Sequence, residues 1–243
     1  MLRICINKRL NTTFMKTLWL HKHNRERLLV FCNGWGMDAR PFAPLQAHAY
    51  DVLMCYDYTD LEVDLDMIAL IGSYAEAHLL GWSMGVWAGQ CLFAAAAGQF
   101  QRKIAINGTL CPIHDRFGIP VEIFSSTLEH FNISARLKFY RRMCRERGIL
   151  ETFLANQPER KIDEQRAELE HLLQTTDCLS AAASIYTDIL IANRDYILPT
   201  ANQKCFWQQN KVHLVDGCHF LFYGWNNWDD ILRDLGIGGR LPC

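Results

Sequence analysis

The chain has 243 residues, half of them apolar, with a formal net charge of −1 and a sequence pI near 6.7. That length can bury one sizeable core, the near-neutral charge gives no global pull toward nucleic acid, and no apolar run approaches the roughly 20 residues of a membrane helix. Ten scattered cysteines, without a Cys-x-x-Cys pair or a secretory signal, are expected to be reduced, mostly buried thiols of a cytoplasmic protein.

Residues 1–14 mix Arg3, Lys8 and Arg9 with apolar pieces too brief for a signal peptide, and a loosely ordered extension is expected there, followed by one domain over 15–243. Thr17 to Lys22 alternates as a first strand does. Arg27 to Cys32 is a continuous apolar run, a buried strand, and it stops abruptly at Asn33-Gly34-Trp35-Gly36. The glycines let this loop turn so that a backbone N–H, that of Trp35, can face a reaction site, as the equivalent loop of many serine hydrolases does. Val52 to Tyr56 is a short strand. Asp60 to Tyr74, apolar at Leu61, Leu65, Ile68 and Ile71, reads as an amphipathic helix or part of one. Asp57, Asp60, Asp64 and Asp66 lack the glycine and the terminal glutamate of a calcium loop, so they read as a solvated face.

The next stretch, Leu79-Leu80-Gly81-Trp82-Ser83-Met84-Gly85, sets a serine between two glycines, after an apolar run and before a helix-forming one. Gly-x-Ser-x-Gly suits a sharp strand-to-helix turn that lifts a serine hydroxyl clear of a sheet. Val86 to Ala97, with four successive alanines, predicts a helix packed closely on that sheet and ended by Gly98. Lys103 to Thr109 reads as another central strand.

From about Phe117 to Ser180 the chain turns helical and charged, without strand signals, and is expected to cap the site. Ile133, Leu137, Tyr140 and Cys144 mark the packed face of one helix there. Beside them Lys138, Arg141, Arg142 and Arg145 form a stripe of one sign at i, i+3, i+4, i+7, which argues for an anionic partner. Ile185 to Ala192 and Val212 to Val215 resume the sheet. Asp195 lies just past the first of these strands, and His219 lies in the turn after the second.

A serine becomes a nucleophile only with a base to take its proton, an acid to orient the base, and N–H donors for the oxyanion. Ser83, Asp195 and His219 supply the first three in the chain order of a nucleophile-elbow scaffold, and the N–H groups of Met84 and Trp35 are the candidate donors. Asp188 sits inside its strand, and Asp216 is too near His219 in the chain to orient it from another strand end. Cys218 and His219 are adjacent and cannot easily share one ion, so no metal or other cofactor is expected.

Taken together, Phe31 to Met37, Gly81 to Gly89, Asn193 to Pro199 with Cys205-Phe206-Trp207, and Asp216 to Phe222 resemble the α/β-hydrolase family. They resemble most its branch of pimeloyl-acyl carrier protein methyl ester esterases of the BioG type. The likeness runs from about Met15 onward and includes Phe139 to Cys144. It implies an α/β fold with a mostly parallel central sheet, helices on both faces and a helical cap at about 117–180. It also implies a serine carboxylesterase of biotin biosynthesis that releases methanol from the methyl ester of pimeloyl-acyl carrier protein. That carrier is acidic and phosphopantetheine-linked, a natural partner for the basic stripe. Two other classes share these residues: a general carboxylesterase or thioesterase of small acyl substrates, and a non-catalytic binding protein of hydrolase fold.

Overall fold

Alternation along the strands decides where the core lies. In β2 (Arg27–Cys32) the side chains of Leu28, Val30 and Cys32 enter one buried cluster while Leu29 and Phe31 enter another on the opposite face. β6 (Asp188–Ala192) divides in the same way, Ile189 and Ile191 against Leu190 and Ala192. Strands apolar on both faces need cover on both, and the helices provide it. The computed structural model describes residues 15–63 and 65–237; the extension expected over 1–14 lies outside the described residues.

The other strands are β1 (Lys16–His21), β3 (Tyr50–Tyr56), β4 (Glu76–Trp82), β5 (Arg102–Ile106) and β7 (Val212–Val215). They form a seven-stranded sheet in the order β1-β3-β2-β4-β5-β6-β7, parallel except that β1 pairs antiparallel with β3 at one edge. α1 (Leu65–Gly72), α2 (Met84–Phe93) and α7 (Thr200–Phe206) supply Met67, Val86 and Phe206 to one cluster. α8 (Trp228–Ile237) supplies Trp228, Ile231 and Leu232 to the other. Between β5 and β6 the chain leaves the sheet for α3 (Val121–Glu129), α4 (Ile133–Cys144), α5 (Arg147–Ala155) and α6 (Ile162–Thr175).

Three expectations need correction. The helix occupies only part of the stretch read as amphipathic, as α1; of the apolar positions read there Ile71 faces the core and Leu61 and Ile68 pack against it, but Leu65 is 85 % exposed and Met67 takes its place. The alanine run does not continue α2 but tightens into a 3₁₀ segment, Ala94–Gln99, with no buried residue. Not every cysteine is a free thiol: Cys111 and Cys178 are joined by a disulfide across a sequence separation of 67. Sequence spacing could not foresee this bond, because the excursion through α3–α6 folds back to bring its two ends together, where Leu179 N–H also donates to the Leu110 carbonyl (2.9 Å). Among the described residues no helix is long and apolar enough to cross a membrane.

Candidate active site

Ser83 stands at the tip of the turn from β4 into α2 with φ +57°, a backbone conformation that side-chain-bearing residues rarely adopt. The turn is this tight because of Gly85: a methyl group there would lie 2.0 Å from the Cys32 carbonyl oxygen, so only glycine lets α2 start against the end of β2. The Ser83 N–H donates to the Ile106 carbonyl (3.0 Å), tying the turn to β5.

Three segments distant in sequence meet here. His219 Nε2 is 3.0 Å from Ser83 Oγ, and His219 Nδ1 is 2.7 Å from Asp195 Oδ2. All three residues are buried, so the contacts lie in a low-dielectric setting. A carboxylate only accepts hydrogen bonds. Asp195 therefore fixes the proton on Nδ1 and leaves Nε2 as an acceptor for the serine hydroxyl. Asp195 is itself held: Oδ1 accepts from the N–H groups of Ile197 (2.9 Å) and Leu198 (3.0 Å), and Oδ2 also accepts from Gln203 Nε2 (2.8 Å). The two rejected aspartates are occupied elsewhere, Asp188 with Arg102 and Asp216 with Arg194.

Trp35 and Met84 border the same pocket as Ser83 and His219, and Gly34 lies so close that a methyl group on it would be 3.4 Å from Ser83 Cβ. The backbone N–H groups of Trp35 and Met84 have no hydrogen-bond partner among the described residues. Two unpartnered N–H groups thus belong to residues lining the pocket that holds Ser83, and one of them is on the first residue of α2, the end of a helix that favours negative charge. The pocket walls are apolar: Ile119, Phe124, Phe139, Met143, Leu169 and Ile197.

Of the basic stripe, Arg142 alone borders this pocket. Lys138, Arg141, Arg142 and Arg145 are all exposed, and none has a salt-bridge partner among the described residues. Arg145 instead lies over the Tyr196 ring, 4.2 Å from its centroid. The neighbouring cations Arg136 and Arg147 are engaged, Arg136 with the Arg160 carbonyl and Arg147 with Glu151.

Sequence reasoning missed the side chains that steady the triad. Asn107, at the end of β5, accepts from the Ala192 N–H (2.7 Å) and donates to the carbonyls of His219 (2.9 Å) and Cys218 (3.3 Å). Trp82 Nε1 donates to the same His219 carbonyl (3.0 Å). A polar residue closing an apolar strand was the only hint of Asn107 in the sequence. The neighbouring Cys218 thiol is pushed up to about 11 by burial and donates to the Cys144 carbonyl (2.9 Å), which makes it a packing group rather than a second nucleophile.

With this geometry in hand, comparisons with known proteins give a consistent picture. A family model described as "Pimeloyl-ACP methyl esterase BioG" matches residues 15–231. A Bacteroides fragilis protein named malonyl-[acyl-carrier protein] O-methyltransferase is 35 % identical over 198 residues, which are 81 % of this chain and only 40 % of that longer protein. The crystal structure of BioG from Haemophilus influenzae superposes with a TM-score of 0.79 at 32 % identity, covering 88 % of this chain and 98 % of the other. The enol-lactonase of Burkholderia xenovorans shares the fold alone, with a TM-score of 0.63 at 16 % identity over 91 % of this chain and 95 % of its own.

Proposed function

The chain belongs to the pimeloyl-ACP methyl esterase BioG family of the α/β-hydrolase fold, and from that premise we propose that it hydrolyses the methyl ester of pimeloyl-acyl carrier protein with Ser83 as nucleophile. One observation carries the proposal: the unbroken path from Asp195 through His219 to Ser83 Oγ at the floor of an apolar pocket. In this reading residues 15–243 act as one catalytic domain, with residues of about 117–180 as its cap.

Ser83 Oγ bonds to the ester carbonyl carbon as its proton passes to His219 Nε2. The carbonyl π electrons move to oxygen, and the N–H groups of Trp35 and Met84 receive the oxyanion. Collapse breaks the bond from carbon to the methoxy oxygen, and Nε2 returns the proton so that methanol leaves. Water then attacks the acyl-serine, giving its proton to Nε2. The bond from carbon to Oγ breaks, the proton on Nε2 goes back to Oγ, and the carboxylic acid departs, giving its remaining proton to solvent. Asp195 holds the imidazole throughout and stabilises its charged form without itself taking the proton.

A methyl group must be attached before it can be removed, so the reaction that supplies this substrate is methyl transfer to a carrier-bound carboxylate. The name of the Bacteroides fragilis relative describes that chemistry. The exposed stripe Lys138, Arg141, Arg142 and Arg145 suits an acidic carrier, and Arg142 at the pocket suits the phosphate of its phosphopantetheine arm. Such steering weakens with salt.

Intact-mass analysis of pimeloyl-acyl carrier protein methyl ester, before and after incubation with the enzyme, tests the proposal. The expected result is loss of one methylene's mass, abolished by Ser83→Ala, and a preference for the carrier-bound ester over free methyl pimelate that shrinks as salt rises. Equal rates on both esters at all salt concentrations would instead make this a general carboxylesterase. Hydrolysis that survives Ser83→Ala would remove the serine mechanism.

A further inference from the structure

The Trp35–Gly36 segment is gripped from α6. Trp35 Nε1 donates to the Gln165 carbonyl (2.8 Å), Gln165 Nε2 donates to the Gly36 carbonyl (2.7 Å), and the Gly36 N–H donates to Glu168 Oε2 (3.2 Å). Gln165 and Glu168 are three residues apart and so share one face of their helix. They are 1 % and 0 % exposed. Gly36 has φ +74°, so the loop sits in a conformation that its own sequence does not impose.

Glu168 is costly to keep there. Burial pushes its carboxyl above the usual range, against the pull of the Arg160 guanidinium, whose Nη1 donates to Oε2 at 2.5 Å. Oε1 accepts from the Tyr58 N–H (3.2 Å), and Arg160 also meets Asp57 (2.9 Å), which in turn pairs with Lys16 (2.9 Å). A buried ion pair is a poor source of stability compared with apolar packing, and its best-attested use is to specify one arrangement. The arrangement specified here is that of the Trp35–Gly36 peptide, the next along the chain from the one that carries the Trp35 N–H.

We infer that Gln165 and Glu168 are positioning residues for the oxyanion hole, clasping the Trp35–Gly36 backbone so that the Trp35 N–H stays aimed at the oxygen developing above Ser83. The inference rests on Trp35 being one of the two oxyanion donors. It does not depend on the carrier, because any ester attacked by Ser83 develops the same oxyanion.

The test uses the full chain, a carrier-free p-nitrophenyl ester, and an alkyl trifluoromethyl ketone, whose tetrahedral adduct with serine places an oxyanion in the hole. Gln165→Met removes the donor to Gly36 at nearly constant volume. Removing an oxyanion donor outright costs about 10²–10³ in kcat, and misaiming one is expected to cost about 10-fold or more. The expected result is a fall in kcat matched by an equal loss of trifluoromethyl ketone affinity, with KM and binding of the free acid product within about two-fold of wild type. Glu168→Gln, which keeps the shape but lets Arg160 turn wholly to Asp57, is expected to shift the same two quantities in parallel. Unchanged kcat and ketone affinity in both variants, or losses that appear equally in KM and product binding, would overturn the inference. Should Gln165→Met fail to fold, Glu168→Gln decides alone by the same two readouts. A wild-type enzyme that cleaves p-nitrophenyl esters but not the carrier-bound methyl ester would defeat the substrate proposal and leave this one standing.

Discussion

At Gly85 a single hydrogen atom separates a working turn from a blocked one. The carbonyl that a methyl group would strike belongs to Cys32, pinned in β2 between β3 and β4, so the strain cannot be relieved by a side chain moving aside. Gly85→Ala is therefore expected to destabilise the protein by about 3 kcal/mol or more, at the upper end of overpacking costs, and to abolish labelling of Ser83 by a fluorophosphonate. Thermal melts and gel-based labelling check both. Asn107→Ala acts on the same site from another side, orphaning the Ala192 N–H and leaving the His219 carbonyl to Trp82 Nε1 alone. About 1–3 kcal/mol of stability should go, together with a fall in kcat that leaves KM in place. That Ser83, His219 and Asp195 meet was legible in the sequence because each follows an apolar run and sits in a turn that contains glycine or proline. Asn107, Gln165 and Glu168 were not: each is a polar residue whose partner lies far off in the chain, and nothing local distinguishes such a residue from a solvated one.

β1 runs antiparallel at one edge of the described sheet, and the turn that follows it is fastened to Asp51 of β3 by charge. Asp51 of β3 is fully buried, which by itself would raise its carboxyl. Hydrogen bonds from Lys22, the N–H groups of His23 and Arg25, and Tyr74 outweigh burial and hold it at about 2. A carboxyl depressed in the folded state adds stability above its unfolded value near 4 and loses that contribution as pH falls toward 2. Urea titrations of wild type and Asp51→Asn should thus differ fully at pH 7 and converge between about pH 4 and pH 2. A difference that persists unchanged to the acid end would mean that packing, not charge, holds this edge. The parallel strands needed no such device to be recognised, since unbroken apolar runs of four to six residues announce a strand buried on both faces. Helix faces were harder to read. Leu65 is exposed although it falls on the apolar stripe, because the burial of Met67 and Ile71 against the sheet sets the rotation of α1.

Across the whole molecule, the disulfide from Cys111 to Cys178 closes the excursion between β5 and β6 at its base, so α3, α4, α5 and α6 all lie within one covalent loop. Such a bond acts mainly on the unfolded chain, and a loop spanning 67 residues is expected to contribute about 2–4 kcal/mol. Ser83, Asp195 and His219 all lie outside that loop, on the ends of β4, β6 and β7, whereas most of the apolar pocket wall lies inside it. Reduction should therefore separate two properties that most perturbations change together. Cys178 is exposed and open to a thiol reductant, while Cys111 is buried. Adding dithiothreitol, or substituting Cys178→Ser, should lower Tm by about 5–15 °C, as that much free energy does for a chain of this size. Well below the melt, kcat for a small p-nitrophenyl ester should change by less than about two-fold, because the reacting groups are held by the sheet and by Asn107. The pair of measurements is calorimetry with and without reductant, and initial rates at 25 °C under the same two conditions. An unchanged Tm would mean that the bond does not form in the protein as purified. A collapse of kcat with Tm intact would mean that the excursion, through its walls or through the grip of α6 on Trp35 and Gly36, and not the sheet alone, sets the geometry of the site.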